Sequence, residues 1–313
     1  MTAFILRRLL VTLVTVLGAM VLLFTILQLI PGDFATVVLG PRATPEIIEG
    51  FRVRMGLDQP IYVQLFNFIL NAAQGDLGTD VLSHLPVSFL VMQVLPHTIV
   101  LALSAILIAS FLGIPLGAYA AAYKGSWLDR ILGVISISAI TIPSFLAGLL
   151  GLLIFSVFLG WFPAMGAGQS GNLADQFYHL ILPALALGLG WIGYIARIMR
   201  ASMLDEMTED YVRTARSKGL KESVVVFKHA LRGALIPVIA VIGVGFGNLL
   251  GGAVLIEIIF HRPGLGYLIY TAIGTRNFPI VQGGLIIAVL LYSLANLLAD
   301  LSYSFIDPRV RSD

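Results

Sequence analysis

Cysteine is absent from the 313-residue sequence, and charged side chains make up only 12% of it. The lack of cysteine excludes disulfide scaffolds, thiolate metal sites and cysteine nucleophiles, although it does not identify the redox compartment. Soluble domains carry roughly 25% charged residues, so half that level cannot cover a surface that faces water. Together with 58% hydrophobic residues, this composition indicates a protein whose surface largely faces lipid.

The motifs of nucleotide-binding and catalytic sites are also missing. None of the four lysines follows a glycine, so no Gly-Lys-[Ser/Thr] phosphate loop is present. The five histidines lack metal-ligand spacing. The segment Gly188–Gly193 matches a dinucleotide-binding pattern, but it lies inside an apolar run without a preceding strand. Close helix packing explains it better, as it does the pairs Gly113/Gly117 and Gly247/Gly251. We expect no catalytic, cofactor or metal site in this chain.

Six uncharged apolar runs dominate the sequence. Most are long enough to cross roughly 30 Å of hydrocarbon as a helix, which takes about 20 residues. They do not alternate as barrel strands do, and the first is longer than the apolar core of a signal peptide, so we expect it to be retained. The sequence therefore predicts an all-α membrane protein with six transmembrane helices. The runs are approximately Leu9–Ile30, Thr98–Tyr123, Ile131–Gly160, Leu180–Ala196, Ala234–Ile256 and Gln282–Ala299.

The distribution of basic residues predicts the orientation of these helices. Six spans place both termini on one side of the membrane. Fourteen of the 19 lysines and arginines fall on that side, eight of them between the fourth and fifth spans. Because cytoplasmic loops are enriched in basic residues, we expect both termini in the cytoplasm.

The connection 200–232 is the one long polar segment on the predicted cytoplasmic side. Its first part, Asp205–Asp210, is acidic and its second part, Tyr211–Lys221, is basic. That order complements the dipole of a short helix, and Gly219 permits a sharp bend after it. A second amphipathic helix is predicted to follow, burying residues around Val225. The connection is either a solvated basic loop or a surface that docks a cytoplasmic partner.

The first outer connection, about Pro31–Pro96, is too long for a simple link. Thr44 and Pro45 predict a helix start, and a second helix is predicted from Pro60 to Ala73. This region forms either a small folded cap at the membrane surface or a docking surface for an extracytoplasmic solute-binding protein. A Gly/Pro-rich segment, His261–Val281, predicts a re-entrant or turn-rich lid.

Several segments of the chain, in order, resemble one known family. The segment Asp210–Leu220, continued by His229–Arg232, is similar to the EAA loop of ABC importer permeases. Ala215, Gly219 and Leu231 match the pattern of that loop, whereas its glutamate and proline have no counterpart. This departure resembles the dipeptide, oligopeptide and nickel subgroup. Further similar segments are Arg7–Leu10, Leu29–Asp33, Met55–Pro60, Gly75–Gly78, Leu95–Thr98, Phe260–Gly266 and Asp307–Arg309.

The resemblance implies a fold, partners and a mechanism. The fold is that of a type I ABC importer permease, with 1–93 as first helix and outer loop, 94–306 as the five-helix domain and 307–313 as a cytoplasmic tail. Two permeases form the pore in the bacterial inner membrane, and a solute-binding protein delivers the solute. Two cytoplasmic ATPases bind ATP and Mg and each receive one coupling loop, while no nucleic acid is involved. The implied coupling residues are Asp210, Tyr211, Arg213, Thr214, Ala215, Arg216, Lys218, Gly219, His229 and Leu231.

Polar residues inside the spans give candidates for the solute path. Polar groups are costly in lipid and tend to face the bundle interior. Asn248 and Glu257, both on the fifth span, either line the path or form hydrogen bonds between helices. Short peptides are the expected solutes, with nickel complexes, glutathione or another small solute as alternatives. A stand-alone secondary transporter and an intramembrane enzyme are the rival functions, and neither would co-purify with ATPase subunits.

Overall fold

The computed structural model describes residues 2–29, 43–54 and 58–306, and its regular structure within those ranges is helical. The fold class predicted from the sequence, an all-α membrane protein, is confirmed. The similar segments at 30–33, 55–57 and 307–309 lie outside the described residues. With continuous α- and π-helical turns counted together, the helices are α1 (Thr2–Leu29), α2 (Pro45–Arg54), α3 (Ile61–Ala73), α4 (Val87–Ala122), α5 (Trp127–Thr141), α6 (Ser144–Phe158), α7 (Leu173–Glu206), α8 (Asp210–Ser217), α9 (Glu222–Ile259), α10 (Leu265–Gly274) and α11 (Phe278–Ile306).

Five of these helices, α1, α4, α7, α9 and α11, are long and apolar enough to cross a membrane. The third predicted span, Ile131–Gly160, is not one straight helix, because α5 and α6 meet at an angle of 100°. The break falls at Ile142 and Pro143, which both have extended backbone conformations. A residue that precedes proline is disfavoured in the helical conformation, which explains why the helix ends there.

At each end of the bundle, a polar contact joins two elements that are distant in the sequence. At one end, the amide of Gly166 donates to the carbonyl of Phe260 at 2.9 Å, which joins the start of α7 to the end of α9. At the other end, Arg8 of α1 and Asp300 of α11 form an ion pair at 2.9 Å. The start of α1 and the end of α11 therefore lie at the same end of the bundle, as an even number of spans requires.

Glycines allow α4 and α7 to pack at backbone distance. A Cβ atom on Gly113 would lie 2.9 Å from the carbonyl oxygen of Ile192, and one on Gly188 would lie 2.7 Å from that of Ala105. Gly117 faces the backbone of Ala196 in the same way. The predicted role of these glycines in helix packing is confirmed. It is wrong for Gly251, because no atom of the described residues lies within 4 Å of a Cβ position there.

The two predicted helices of the first outer connection are present. Helix α2 begins at Pro45, and the amide of Ile48 donates to the carbonyl of Thr44 at 3.1 Å. Helix α3 follows Pro60 and ends before a turn in which Gly75 has a φ of +83°. The predicted lid 261–281 contains the short helix α10.

A buried carboxylate joins the loop before α4 to the loop before α11. Asp80 accepts hydrogen bonds from the amides of Leu82 and Ser83, from the Ser83 hydroxyl and from the side chain of Asn277. Burial opposes ionisation, yet the hydrogen bonds from Ser83, Leu82 and Asn277 outweigh it, so the pKa of Asp80 lies below its ordinary value. The loop before α4 is thereby held against the loop before α11.

Candidate functional site: the loop between α7 and α9 and the buried carboxylates

The short helix α8 forms the centre of the connection between α7 and α9. Asp210 lies in its first turn and Arg216 in its last turn, as the helix dipole favours. After the helix, Gly219 has a φ of +75°, a conformation in which residues with a Cβ are strained. The predicted helix and glycine bend are therefore present, and we call residues 207–221 the coupling loop.

Apolar contacts fix the coupling loop to the bundle. Val212 and Ala215, three residues apart on one face of α8, are buried in the main hydrophobic cluster. That cluster also contains Val225 and Ala230 from the first turns of α9. The predicted second amphipathic helix is wrong as a separate element, because 222–230 continue without a break into α9.

Arg216 connects α8 to the turn after α7 and to the start of α9. Its Nη2 atom donates to Oε1 of Glu222 at 2.8 Å, and its Nε donates to the same carboxylate at 3.2 Å. Its Nη1 donates to the carbonyl of Met207 at 3.2 Å. Such a forked pair orients its partners, although its exposure limits its energy to roughly 0–1 kcal/mol. Arg216 is thus a positioning residue for α8.

Tyr211 supplies a second connection. Its hydroxyl donates to the carboxylate of Glu206, the last residue of α7. That carboxylate packs against Gly233 of α9, where any Cβ atom would collide with it. Burial, the hydrogen bond to Glu206 and the negative charges of Glu206 and Glu209 raise the pKa of Tyr211 to about 12. Tyr211 therefore stays protonated, as a hydrogen-bond donor must.

Some of the predicted coupling residues face the helix bundle, and the others are exposed on the opposite side of the loop. Ala215 is buried, and His229 and Leu231 are half-buried, so these three face the bundle. The exposed residues are mostly polar, and among them Asp210 and Arg213 form an ion pair at 3.4 Å. The other members of the exposed set are Tyr211, Thr214, Arg216, Lys218 and Gly219.

An ion pair that sequence reasoning missed lies near the same end of the bundle. Arg200 of α7 donates to both carboxylate oxygens of Asp129 on α5, at 2.6 and 2.8 Å. The carboxylate also accepts from the amide of Gly125, while Ser126 caps α5 through the amide of Asp129. The bent pair of helices α5 and α6 is thus attached to the end of α7 that carries the coupling loop.

Glu257 is completely buried at the opposite end of α9. Its carboxylate accepts hydrogen bonds from the hydroxyl of Thr98 at 2.6 Å and from the amides of Gly266 and Tyr267 at 2.7 and 3.1 Å. The Thr98 oxygen in turn accepts from the amide of Leu265 at 2.8 Å. The carboxylate thus occupies the N-terminus of α10, where a negative charge is favourable.

The two candidates for the solute path are therefore separated. Asn248 is exposed, and its side chain donates to the carbonyl of Val244 at 3.3 Å. Glu257 lies nine residues further on, which at about 100° per residue is the opposite face of α9. The inter-helix hydrogen bonds favour the second alternative for Glu257, so its place on a solute path stays a prediction without geometric support in this conformation.

Arg262 lies beside the hydrogen bonds of Glu257. The sequence identifies it only as part of the similar segment Phe260–Gly266. Its side chain is 3% exposed, and its Nε and Nη1 atoms have no hydrogen-bond partner among the described residues. Burial lowers the pKa of Arg262, and the negative charge of Glu257 offsets part of this effect. No group of three or more histidine, aspartate or glutamate side chains with metal-binding geometry occurs in the described ranges.

Comparison with known proteins identifies the family. Residues 113–312 match the family model described as the binding-protein-dependent transport system inner membrane component, and residues 1–102 match its N-terminal model. The chain belongs to this family. The permease is 39% identical over 311 residues to glutathione transport system permease proteins GsiC from Escherichia coli strain K12 and Salmonella typhi, covering 99% of each chain.

A solved structure supports the fold independently. The permease is similar to the MetNI methionine ABC transporter in an inward-facing conformation, with a TM-score of 0.58 and 18% sequence identity. The match covers 70% of this chain and 97% of the other. This likeness supports the fold, while the family identifies the chain as a multi-pass inner membrane permease subunit of an ABC importer. The family decides against a stand-alone transporter and an intramembrane enzyme.

Proposed function

We propose that this permease imports short peptides, with glutathione as the first candidate, by alternating access driven by two ATPases, one of which docks on its coupling loop. The observation that carries the proposal is the rigid attachment of α8. Two buried apolar side chains and the ties of Arg216 and Tyr211 hold the helix between α7 and α9. A partner that moves this helix must move the spans on either side of it.

The substrate class rests on the relatives. Glutathione is a tripeptide, and the GsiC proteins that share 39% identity over nearly the whole chain are named for its transport. We propose that a second permease, which resembles this one, completes the pore, and that an extracytoplasmic binding protein delivers the peptide.

An uptake measurement tests the function. The assembled transporter, reconstituted in liposomes with its binding protein, is expected to accumulate labelled glutathione or a labelled dipeptide only when ATP reaches the ATPase side. Unlabelled short peptides should compete, whereas sugars and nickel complexes should not. Uptake of nickel or sugar alone would contradict the substrate class, and uptake without ATP would contradict the importer mechanism.

We also propose that the coupling loop and both termini face the cytoplasm, as the basic residues indicate. The cysteine-free chain permits single-cysteine labelling, and the exposed residues Ser170, before α7, and Lys221, between α8 and α9, lie at opposite ends of the bundle. In intact cells, a membrane-impermeant maleimide is expected to label Ser170→Cys but not Lys221→Cys, and permeabilisation should expose both. Labelling of Lys221→Cys alone in intact cells would reverse the orientation.

A further inference from the structure

Helix α3 runs back along α1 in the antiparallel direction. The side chain of Gln28 donates to Gln64 at 3.2 Å, and the rings of Phe24 and Phe68 lie 5.9 Å apart between centroids. Residue numbers thus rise along α3 as they fall along α1. Because α1 leaves its apolar span, Leu6–Ile26, near Gln28, the rest of α3 returns toward the middle of that span.

The depth that α3 reaches follows from its packing. Phe68, Ile69 and Ala72 pack against a buried cluster of Val16, Met20 and Ile286. Met20 lies six residues inside the end of the α1 span, which is about 9 Å at the rise of a helix. Ile286 lies eight residues inside the start of α11, which is about 12 Å. The second half of α3 therefore lies at the depth of the hydrocarbon.

The chain after α3 climbs back to the same end of the bundle. Leu77 packs on the same cluster and lies 3.0 Å from the Cβ position of Gly283. A Cβ on Gly78 would lie 3.6 Å from Pro279, and Asp80 bonds to Asn277. The contacts thus move from residues 283 and 279 of α11 to Asn277 in the loop before it, so the segment that includes α3 begins and ends at the same end of the bundle.

One exposed stripe of α3 is apolar, while Asn67 and Asn71 are exposed beside it. Tyr62, Phe66 and Leu70 follow one another at intervals of four residues and are 74%, 64% and 44% exposed. Helix α3 contains no charged residue, and its 13 residues span only about 20 Å, too little to cross the bilayer. The amides of Gln74, Gly75 and Asp76 close its C-terminal turn by hydrogen bonds to carbonyls of that turn, and the side chains of Gln74 and Asp76 are exposed.

We propose that α3 is a re-entrant helix, inserted into the leaflet at the C-terminal end of α1, whose Tyr62, Phe66 and Leu70 face contacts lipid acyl chains. Tyr62 lies nearest the level of Gln28, where a ring with a polar tip suits the membrane interface, and Leu70 lies deepest. Asn67 and Asn71 occupy a separate face, and Asn67 bonds to Gln59. The proposal does not depend on which side of the membrane this end faces, and it is independent of the transported solute.

Spin labels attached to single cysteines test this placement in the assembled transporter in liposomes, with the other subunits made cysteine-free. Labels at Tyr62→Cys, Phe66→Cys and Leu70→Cys are compared with two matched positions. Leu22→Cys, on the exposed side of α1, reports lipid, and Glu49→Cys, exposed on α2, reports water. The measurement is the relaxation of each label by oxygen, which concentrates in lipid, and by a water-soluble nickel chelate.

Labels on α3 are expected to resemble that of Leu22, with an oxygen-to-nickel ratio about tenfold above that of Glu49 and rising from position 62 to position 70. A ratio like that of Glu49 at all three positions would overturn the proposal, since α3 would then lie in water. Protection from both reagents would also overturn it, because another protein chain would then cover the face.

Discussion

Replacing Gly219 with proline is expected to reduce peptide uptake at least about tenfold while ATP hydrolysis by the bound ATPases continues. Proline fixes φ near −65°, whereas Gly219 has a φ of +75°. The substitution also removes the amide that donates to the carbonyl of Arg216 at 2.9 Å. The bend after α8 would be lost, and movement of α8 would no longer reach α9. Uptake and ATP hydrolysis are measured together in liposomes.

The control for this prediction is Gly219→Asn. Asparagine tolerates the left-handed conformation, and within the part of the chain that the structure describes no atom lies within 4 Å of the Cβ position at Gly219. Uptake by this variant should remain within about twofold of the original. If the proline variant binds the ATPases and transports normally, the coupling role proposed for the loop is wrong.

Glu257→Ala is expected to destabilise the permease strongly, whatever the solute. The substitution leaves the Thr98 hydroxyl and two amides at the start of α10 without their acceptor in a buried site. Each such group costs about 1–3 kcal/mol, so the loss should lower the melting temperature of the purified transporter by roughly 5 °C or more. The measurement is a thermal melt in which the remaining amount of monodisperse complex is determined at each temperature.

Asn248→Ala is the matched control, since Asn248 lies on the opposite face of the same helix and is exposed. Its stability should change by no more than about 0.5 kcal/mol. A Glu257→Ala transporter that melts like the original but fails to transport would return Glu257 to the solute path. Reduced stability with uptake in proportion to the folded fraction would support its role as the cap of α10.

The pattern of the sequence was sufficient for the helices and for part of their packing. Continuous apolar runs and small residues at four-residue spacing predict spans and close contacts because both depend on local chain geometry. The break at Pro143 could not have been predicted from proline alone, since Pro115 and Pro183 also stand inside apolar runs and their helices continue unbroken. The positions of Asn248 and Glu257 on opposite faces could have been predicted from their spacing of nine residues.

The polar connections between helices could not have been predicted. Asp129 and Arg200 are 71 residues apart in the sequence, and Thr98 and Glu257 are 159 apart. Nothing in the local pattern of either residue identifies its partner, because the contact exists only after the helices have packed. The contacts of α3 with α1 could not have been predicted for the same reason. The sequence alone also does not distinguish an apolar helix on the membrane surface from one inserted in the membrane.

The seam between α4 and α7 has a consequence for how the permease can move. Gly113, Gly117 and Gly188 face backbone carbonyls of the neighbouring helix at distances of up to 2.9 Å from their Cβ positions. A shift of one helix along the other by a single residue would drive a Cβ atom into a carbonyl group. Gradual sliding is therefore blocked, and these two helices must travel together as a single lever. Any hinge that opens or closes the pore must lie elsewhere in the protein.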